Sequence, residues 1–134
     1  MTLEGRILSP RGFVRGRLHF SERILAVEEA PVEGPYILPG FLDLHVHGVL
    51  GADAMEGKEA VLRMARFHLQ HGTTGLLATT VTAPPEDLRR ALSGIAEAMA
   101  ECEALLGAHL EGPFLSPKRL GAQLGLDDLW VKQC

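Results

Sequence analysis

The stretch from Pro39 to Gly48 reads Pro-Gly-Phe-Leu-Asp-Leu-His-Val-His-Gly. Its apolar, β-prone residues predict a strand, in which Asp43, His45 and His47 follow one another at a spacing of two. Because successive side chains of a strand alternate between its faces, we expect these three to point the same way. Each imidazole needs a hydrogen-bond partner when buried, so a pair at this spacing favours metal binding over packing alone. The alternative, a strand with two structural histidines, stays open.

Composition limits the classes of function. The chain has 134 residues, of which 46% are hydrophobic and 22% charged, as in a globular protein. The net charge is -4 and the basic residues are scattered, which argues against a nucleic-acid partner. No targeting segment precedes the first strand signals, and no apolar run approaches the roughly 18 residues of a membrane span, so we expect a cytoplasmic protein with no membrane partner. Cys102 and Cys134 are too few and too far apart for a disulfide framework.

The pattern of elements divides the chain into three parts. Short alternating strands before Ala30 predict a meander of two or three strands, with a turn at Ser9–Gly12. Strand and helix signals then alternate, which indicates βαβ units and a parallel sheet. The predicted elements are a strand at 37–46, a helix at 58–71 ended by Gly72, a strand at 75–81, a helix opened by Pro84 and Pro85, and a strand at 105–110. We therefore predict an α/β fold, with a β segment at 1–38, βα units at 39–123 and an unassigned tail at 124–134.

Parallel strands connected by right-handed crossovers end at one edge of the sheet, where α/β proteins carry their chemistry. This places His45 and His47 near Glu111, which follows the third strand. Alone, Glu111 would be an exposed loop residue, but beside two histidines it becomes a candidate metal ligand. His109 shares the face of Glu111, and we expect it to support a ligand or to contact the substrate rather than to ligate.

Three motifs carry a resemblance to a known family. They are the stretch 39–48, His-Gly-Thr-Thr-Gly at 71–75, and Gly-Ala-His-Leu-Glu-Gly-Pro-Phe at 107–114. In order and spacing, from Leu3 to Ala122, they resemble the N-terminal part of N-acetylglucosamine-6-phosphate deacetylases of the amidohydrolase superfamily. The resemblance implies a TIM-type (β/α) barrel, of which this chain would supply about three βα units, beside a small β-sandwich to which residues 1–38 would contribute.

The same resemblance implies a site and a reaction. Glu111 matches a metal ligand of the family, and His45 and His47 match a pair that binds a second metal in members that keep it. The implied cofactor is a divalent metal, zinc or iron, as one or two ions. The implied reaction is hydrolysis of the N-acetyl amide of N-acetylglucosamine 6-phosphate in amino-sugar catabolism. The catalytic aspartate of the family matches no residue of this chain.

The likeness weakens near the end of the chain. Ala122 and Gln123 occupy positions whose family counterparts contact the substrate, but the family has histidine where this chain has Gln123. A closed barrel needs roughly 250 residues, so we also consider a truncated, catalytically silent fragment that associates through exposed sheet edges. Another amidohydrolase chemistry, such as that of a cyclic-amide hydrolase or deaminase, is a third alternative, because those enzymes share the His-X-His motif.

Overall fold

The computed structural model describes residues 1–125, and the chain has an α/β fold. It divides into two units, Met1–Pro39 and Gly40–Cys134. Of the predicted tail at 124–134, all but the first two residues lie outside the described part of the chain.

The first unit is a four-stranded sheet. Its strands are β1 (Thr2–Ser9), β2 (Gly12–Phe20), β3 (Ile24–Glu29) and β4 (Tyr36–Ile37), in the order β3-β2-β1-β4. The first three are antiparallel, which confirms the predicted meander and its turn at Ser9–Gly12. Ile37 was assigned to the wrong strand, because β4 pairs in parallel with β1 and the strand that leads to the histidines begins only at Phe41.

The second unit contains the predicted βαβ units. In chain order its elements are β5 (Phe41–Val46), the hairpin strands β6 (Gly48–Val49) and β7 (Ala52–Asp53), α1 (Lys58–Gln70), β8 (Thr73–Thr79), α2 (Pro85–Met99) and β9 (Leu105–His109). Strands β5, β8 and β9 form a parallel sheet in that order, as the sequence predicts. The three predicted strands and the first predicted helix of this unit end within two residues of their observed ends, and the second helix begins at Pro85 as predicted. Local signals explain this, since Gly72 at φ 92° ends α1 and Pro85 begins α2 with Glu86 and Asp87 in its first turn.

The core lies between the helices and one face of this sheet. Its buried members are Ala54, Val61, Leu62, Met64, Ala65, Leu76, Ala78, Ile95, Ala98 and Leu105. The opposite face carries Leu42 and Leu106, which flank Gly75 and are 66% and 50% exposed. The sheet of this unit is therefore covered on one side only by the described residues.

A β-hairpin replaces the simple loop predicted between β5 and α1. Leu50 and Gly51 both have positive φ, at 47° and 77°, as the two-residue turn of such a hairpin requires. Asp53 then caps a 3₁₀ turn at Ala54–Glu56 by accepting a hydrogen bond from the N–H of Met55 at 2.8 Å. The N–H of Ala54 donates to the carbonyl of His47 at 2.7 Å, which fixes the backbone just after β5.

In the described residues, no helix combines the length and the apolar character needed to cross a membrane.

Gly94 tests the contact between α2 and the start of α1. A Cβ at this position would lie 2.6 Å from the Cα of Gly57 and 2.7 Å from the N of Lys58. Alanine favours a helix by about 1 kcal/mol over glycine, but overpacking against backbone costs about 1–3 kcal/mol. The close backbone contact should outweigh the propensity gain, so we expect Gly94→Ala to lower the free energy of unfolding by up to about 2 kcal/mol in urea denaturation.

The neighbouring Ser93→Ala is the control, because Ser93 lies on the exposed side of α2 and should change stability by less than about 0.5 kcal/mol. A Gly94→Ala variant as stable as this control would contradict the close contact.

Candidate metal centre

The carboxyl ends of the three parallel strands meet at one edge of the second unit. His45 and His47 lie at the end of β5, Thr79 ends β8, and Glu111 follows β9 by two residues. Because parallel pairing aligns these ends, residues separated by more than sixty positions become neighbours. The sheet topology therefore forms the cluster that the sequence predicts.

Three side chains converge at this edge. The Nε2 atoms of His45 and His47 are 3.1 Å apart, and Oε2 of Glu111 lies 3.3 Å from the first and 3.1 Å from the second. Within residues 1–125 these are the one group of three or more histidine, cysteine, aspartate or glutamate side chains close enough to share a metal ion.

Thr79 orients His47. The Nδ1 of His47 lies 3.1 Å from the carbonyl oxygen of Thr79, which can only accept a hydrogen bond. Nδ1 therefore carries a proton and donates it, and in the neutral ring Nε2 is then the nitrogen whose lone pair faces His45 and Glu111. The hydroxyl of buried Thr79 also accepts from the N–H of Val46 at 3.0 Å, between the two histidines. A backbone carbonyl behind a ligating histidine is a common feature of metal sites.

Asp43 does not join the histidines, contrary to the sequence expectation. Strict alternation from Asp43 to His47 fails because the pairing of β5 with β8 shifts between Asp43 and Val46. One extra residue of β5 is accommodated there, and the Oδ1 of Asp43 accepts a hydrogen bond from the N–H of His45 at 3.1 Å. The expected common face is therefore wrong for Asp43, which stabilises the irregular backbone instead.

Glu111 reaches the cluster from a tightly constrained turn. Gly112 follows it with φ 79°, and a Cβ there would lie 2.1 Å from the hydroxyl oxygen of Thr82, so only glycine fits. Oε2 of Glu111 is buried, and no hydrogen bond of acceptable geometry reaches it from the described residues. A buried carboxylate oxygen without such a partner needs another source of positive charge.

The donor set fits a divalent cation. Lone pairs on Nε2 of His47 and on Oε2 of Glu111 face each other across 3.1 Å, and they repel unless a cation or a proton lies among them. Around a tetrahedral ion with bonds of about 2.0–2.1 Å, neighbouring ligand atoms are about 3.3 Å apart, which is close to the separations in this cluster. Imidazole nitrogen and carboxylate oxygen are ligands of zinc, iron and other divalent ions.

The remaining predicted site residues lie beside this group. The ring of His109 packs edge-on against the ring of His45, with centroids 4.8 Å apart. Oε1 of Gln123 accepts a hydrogen bond from the N–H of Thr82 at 2.7 Å, and Ala122 is exposed. A substrate contact by Ala122 or Gln123 stays a prediction, and the observed bond ties the segment after β9 to the end of β8.

The sequence pattern of the Amidohydrolase family matches residues 36–130, which include all three side chains of the cluster. The chain belongs to this family. Among individual amidohydrolases, the chain is 43% identical over 102 residues to the N-acetylglucosamine-6-phosphate deacetylase of Bacillus subtilis and 37% identical over 124 residues to that of Mus musculus. These matches cover 71% and 88% of this chain.

A solved amidohydrolase structure has the same fold over most of the chain. The crystal structure of N-acetylglucosamine-6-phosphate deacetylase from Thermotoga maritima superposes with a TM-score of 0.83 and 35% identity, covering 92% of this chain. The chain matches 26% and 29% of the length of the two sequence relatives and 35% of the solved chain. It therefore spans about a quarter to a third of the proteins it resembles.

Sequence inspection missed the part that Thr79 plays at this amidohydrolase site. Thr79 lies in a threonine-containing strand whose composition indicates burial, but nothing in the sequence pairs it with His47. The available signal was its position near the carboxyl end of the strand predicted at 75–81, which follows the predicted strand of His45 and precedes that of Glu111 in the chain.

Replacement of Thr79 by valine tests this arrangement. Thr79→Val keeps the shape but removes the acceptor for the N–H of Val46, and an unsatisfied buried amide costs about 1–3 kcal/mol. We expect a loss of stability of that size in denaturant titrations and weaker binding of Zn²⁺. Thr79→Ser retains the hydroxyl and should preserve metal affinity. Both variants keep the backbone carbonyl that accepts from His47, so equal Zn²⁺ affinity for the valine and serine variants would show that the Thr79 hydroxyl does not contribute to metal binding.

Proposed function

We propose that this chain supplies part of the metal centre of an N-acetylglucosamine-6-phosphate deacetylase. The observation that carries the proposal is the convergence of His45, His47 and Glu111 within hydrogen-bonding distance of one another. The named relatives and the solved structure are N-acetylglucosamine-6-phosphate deacetylases, which supports this substrate over cyclic amides or deaminase substrates.

The proposed architecture is a partial TIM-type barrel. The parallel strands β5, β8 and β9 with α1 and α2 correspond to the first βα units of such a barrel, and the sheet of Met1–Pro39 to part of a β-sandwich. The similarity to the Thermotoga maritima enzyme supports this assignment. In a barrel, the half-exposed face with Leu42 and Leu106 would point inward. The cytoplasmic location and self-association through sheet edges stay predictions.

The proposed roles of the three side chains follow from their contacts. The hydrogen bond to Thr79 holds Nε2 of His47 towards the ion site, and Glu111 adds a negative charge that favours a divalent cation. His45 adds a second imidazole nitrogen, so that all three side chains would hold one ion, zinc or iron. When bound, such an ion supplies Lewis-acid polarisation of an amide carbonyl and activation of water near neutral pH. The substrate would be a small amino-sugar phosphate.

A second candidate is a chain that binds the ion without turning over the substrate. Deacetylation needs a group that moves protons, and in the described residues no acid other than Glu111 joins the cluster. Asp43, the nearest acid in sequence, uses its carboxylate to accept the N–H of His45. The two candidates share the metal centre and differ only in turnover.

Zinc titration tests the metal centre. We expect the wild-type chain to bind one Zn²⁺ in isothermal titration calorimetry, and Glu111→Gln, which removes the negative charge but keeps the size, to bind at least about tenfold more weakly. Glu103→Gln removes a charge from an exposed glutamate and should bind like wild type. Two strong sites, or equal affinity for the Glu111 and Glu103 variants, would contradict a single centre containing Glu111.

Acetate release distinguishes the two candidates. The zinc-loaded chain is incubated with N-acetylglucosamine 6-phosphate, with the Bacillus subtilis enzyme as positive control and Glu111→Gln as background. Because no further proton-transfer group joins the described cluster, we expect turnover at least about a thousandfold below the positive control. Release at a rate near that of the control, abolished in Glu111→Gln, would instead establish the chain as an active deacetylase.

A further inference from the structure

We propose that His109 is a positioning residue for the metal centre, whose ring holds His45 in the orientation that directs Nε2 towards His47 and Glu111. This inference rests on the metal centre proposed above and adds a residue outside its ligand set. It assigns the effect to the shape of the ring and not to either of its nitrogens.

His45 lies in β5 and His47 directly follows it, and the two side chains are held in different ways. His47 donates through Nδ1 to the carbonyl of Thr79, which fixes its ring. His45 has no such support, because among the described residues no hydrogen bond reaches its Nδ1. Its side chain is also 50% exposed, so solvent leaves room for other rotamers. A metal-binding histidine usually donates its second nitrogen to a partner, and His45 therefore needs some other constraint.

Ring packing supplies that constraint. The ring of His45 contacts His109 at a centroid distance of 4.8 Å and an interplanar angle of 72°, and contacts His47 at 5.0 Å and 77°. Both are edge-to-face arrangements, which aromatic rings prefer. Because His47 directly follows the strand that carries His45, His109 is the one of these two neighbours that contacts His45 from another strand, β9.

His109 is suited to this task because its own backbone is held firmly. It pairs with Thr79 across the sheet, and its carbonyl accepts a hydrogen bond from the N–H of Thr80 at 3.0 Å. Thr79 therefore contacts the residues on both sides of it. Its carbonyl orients His47, and its pairing with His109 holds the strand β9.

No hydrogen bond from Nδ1 of His109 to the described residues accounts for the position of its ring. Its Nδ1 is buried and has no hydrogen-bond partner among the described residues. His109 also lies outside the group whose ligand atoms come together. A phenylalanine at this place would keep the ring and remove an unsatisfied polar atom, so substitution separates packing from nitrogen chemistry.

The test compares His109→Phe with His109→Ala and His109→Leu in the full chain. Zn²⁺ affinity is measured by competition with a chromophoric chelator, and coordination is followed by the visible spectrum of the Co²⁺-loaded chain. Side-chain couplings of His45 in the metal-free chain report by NMR whether its χ1 angle is single or averaged. Circular dichroism and urea denaturation show whether each variant is folded.

We expect His109→Phe to retain the wild-type Co²⁺ spectrum, affinity and single χ1 of His45. His109→Ala should bind Zn²⁺ about 10–100-fold more weakly, the usual effect of removing a support behind a metal ligand, with an averaged χ1. His109→Leu has a side chain larger than alanine but no aromatic ring, and it should resemble alanine. If the alanine variant does not fold, the difference between His109→Phe and His109→Leu in Zn²⁺ affinity and in the χ1 of His45 decides whether the aromatic ring is needed.

Two results would overturn the inference. Equal losses in His109→Phe and His109→Ala would show that a nitrogen of His109 matters, and wild-type behaviour of both His109→Ala and His109→Leu would show that the ring is dispensable. Failure of the wild-type chain to bind zinc would instead overturn the proposed metal centre, while the χ1 measurement on the metal-free chain would still decide whether His109 orients His45.

Discussion

The hydrogen bonds of Thr79 are the interaction on which the candidate metal centre depends. Its hydroxyl accepts the N–H of Val46 and its carbonyl accepts Nδ1–H of His47, so β5 is joined to β8 at the end of the sheet. On its other side Thr79 pairs with His109, which leads two residues later to Glu111. One buried residue of the central strand therefore contacts both of the neighbouring segments that carry the candidate metal-binding side chains.

The ligand atoms of His45, His47 and Glu111 repel one another when lone pairs face lone pairs. Two imidazole nitrogens and a buried carboxylate oxygen are held within 3.1–3.3 Å of one another, although at least two of these atoms present lone pairs. Sheet pairing and the close contact of Gly112 with Thr82 limit how far they can relax apart. A cation at this place would remove the repulsion, so binding should also stabilise the fold, as is general for metal sites built from preorganised ligands.

Most of the secondary structure of the second unit could be predicted, because helix starts and ends have local chemical signals. Pro85 and Gly72 act within one turn of chain, and the apolar stripe of α2 repeats with the helical period. The strand prediction failed where the signal was not local. Ile37 is apolar and lies four residues before β5 begins, but it pairs with β1. Asp43 fits the alternation until the pairing with β8 shifts the register. Pairing depends on residues distant in sequence, which a local pattern does not contain.

The sequence by itself determined which residue types could bind a metal, the order of the βα units and the edge at which His45, His47 and Glu111 would meet. These follow from side-chain chemistry and from the alternation of strand and helix, both of which are properties of short segments. Only the tertiary structure decided that the carbonyl of Thr79 accepts a hydrogen bond from Nδ1 of His47 and that the ring of His109 contacts His45. It also decided that Asp43 lies outside the cluster of His45, His47 and Glu111. The physical reason is that hydrogen bonds and ring contacts depend on distances of a few tenths of an ångström, which packing between strands sets and sequence spacing does not.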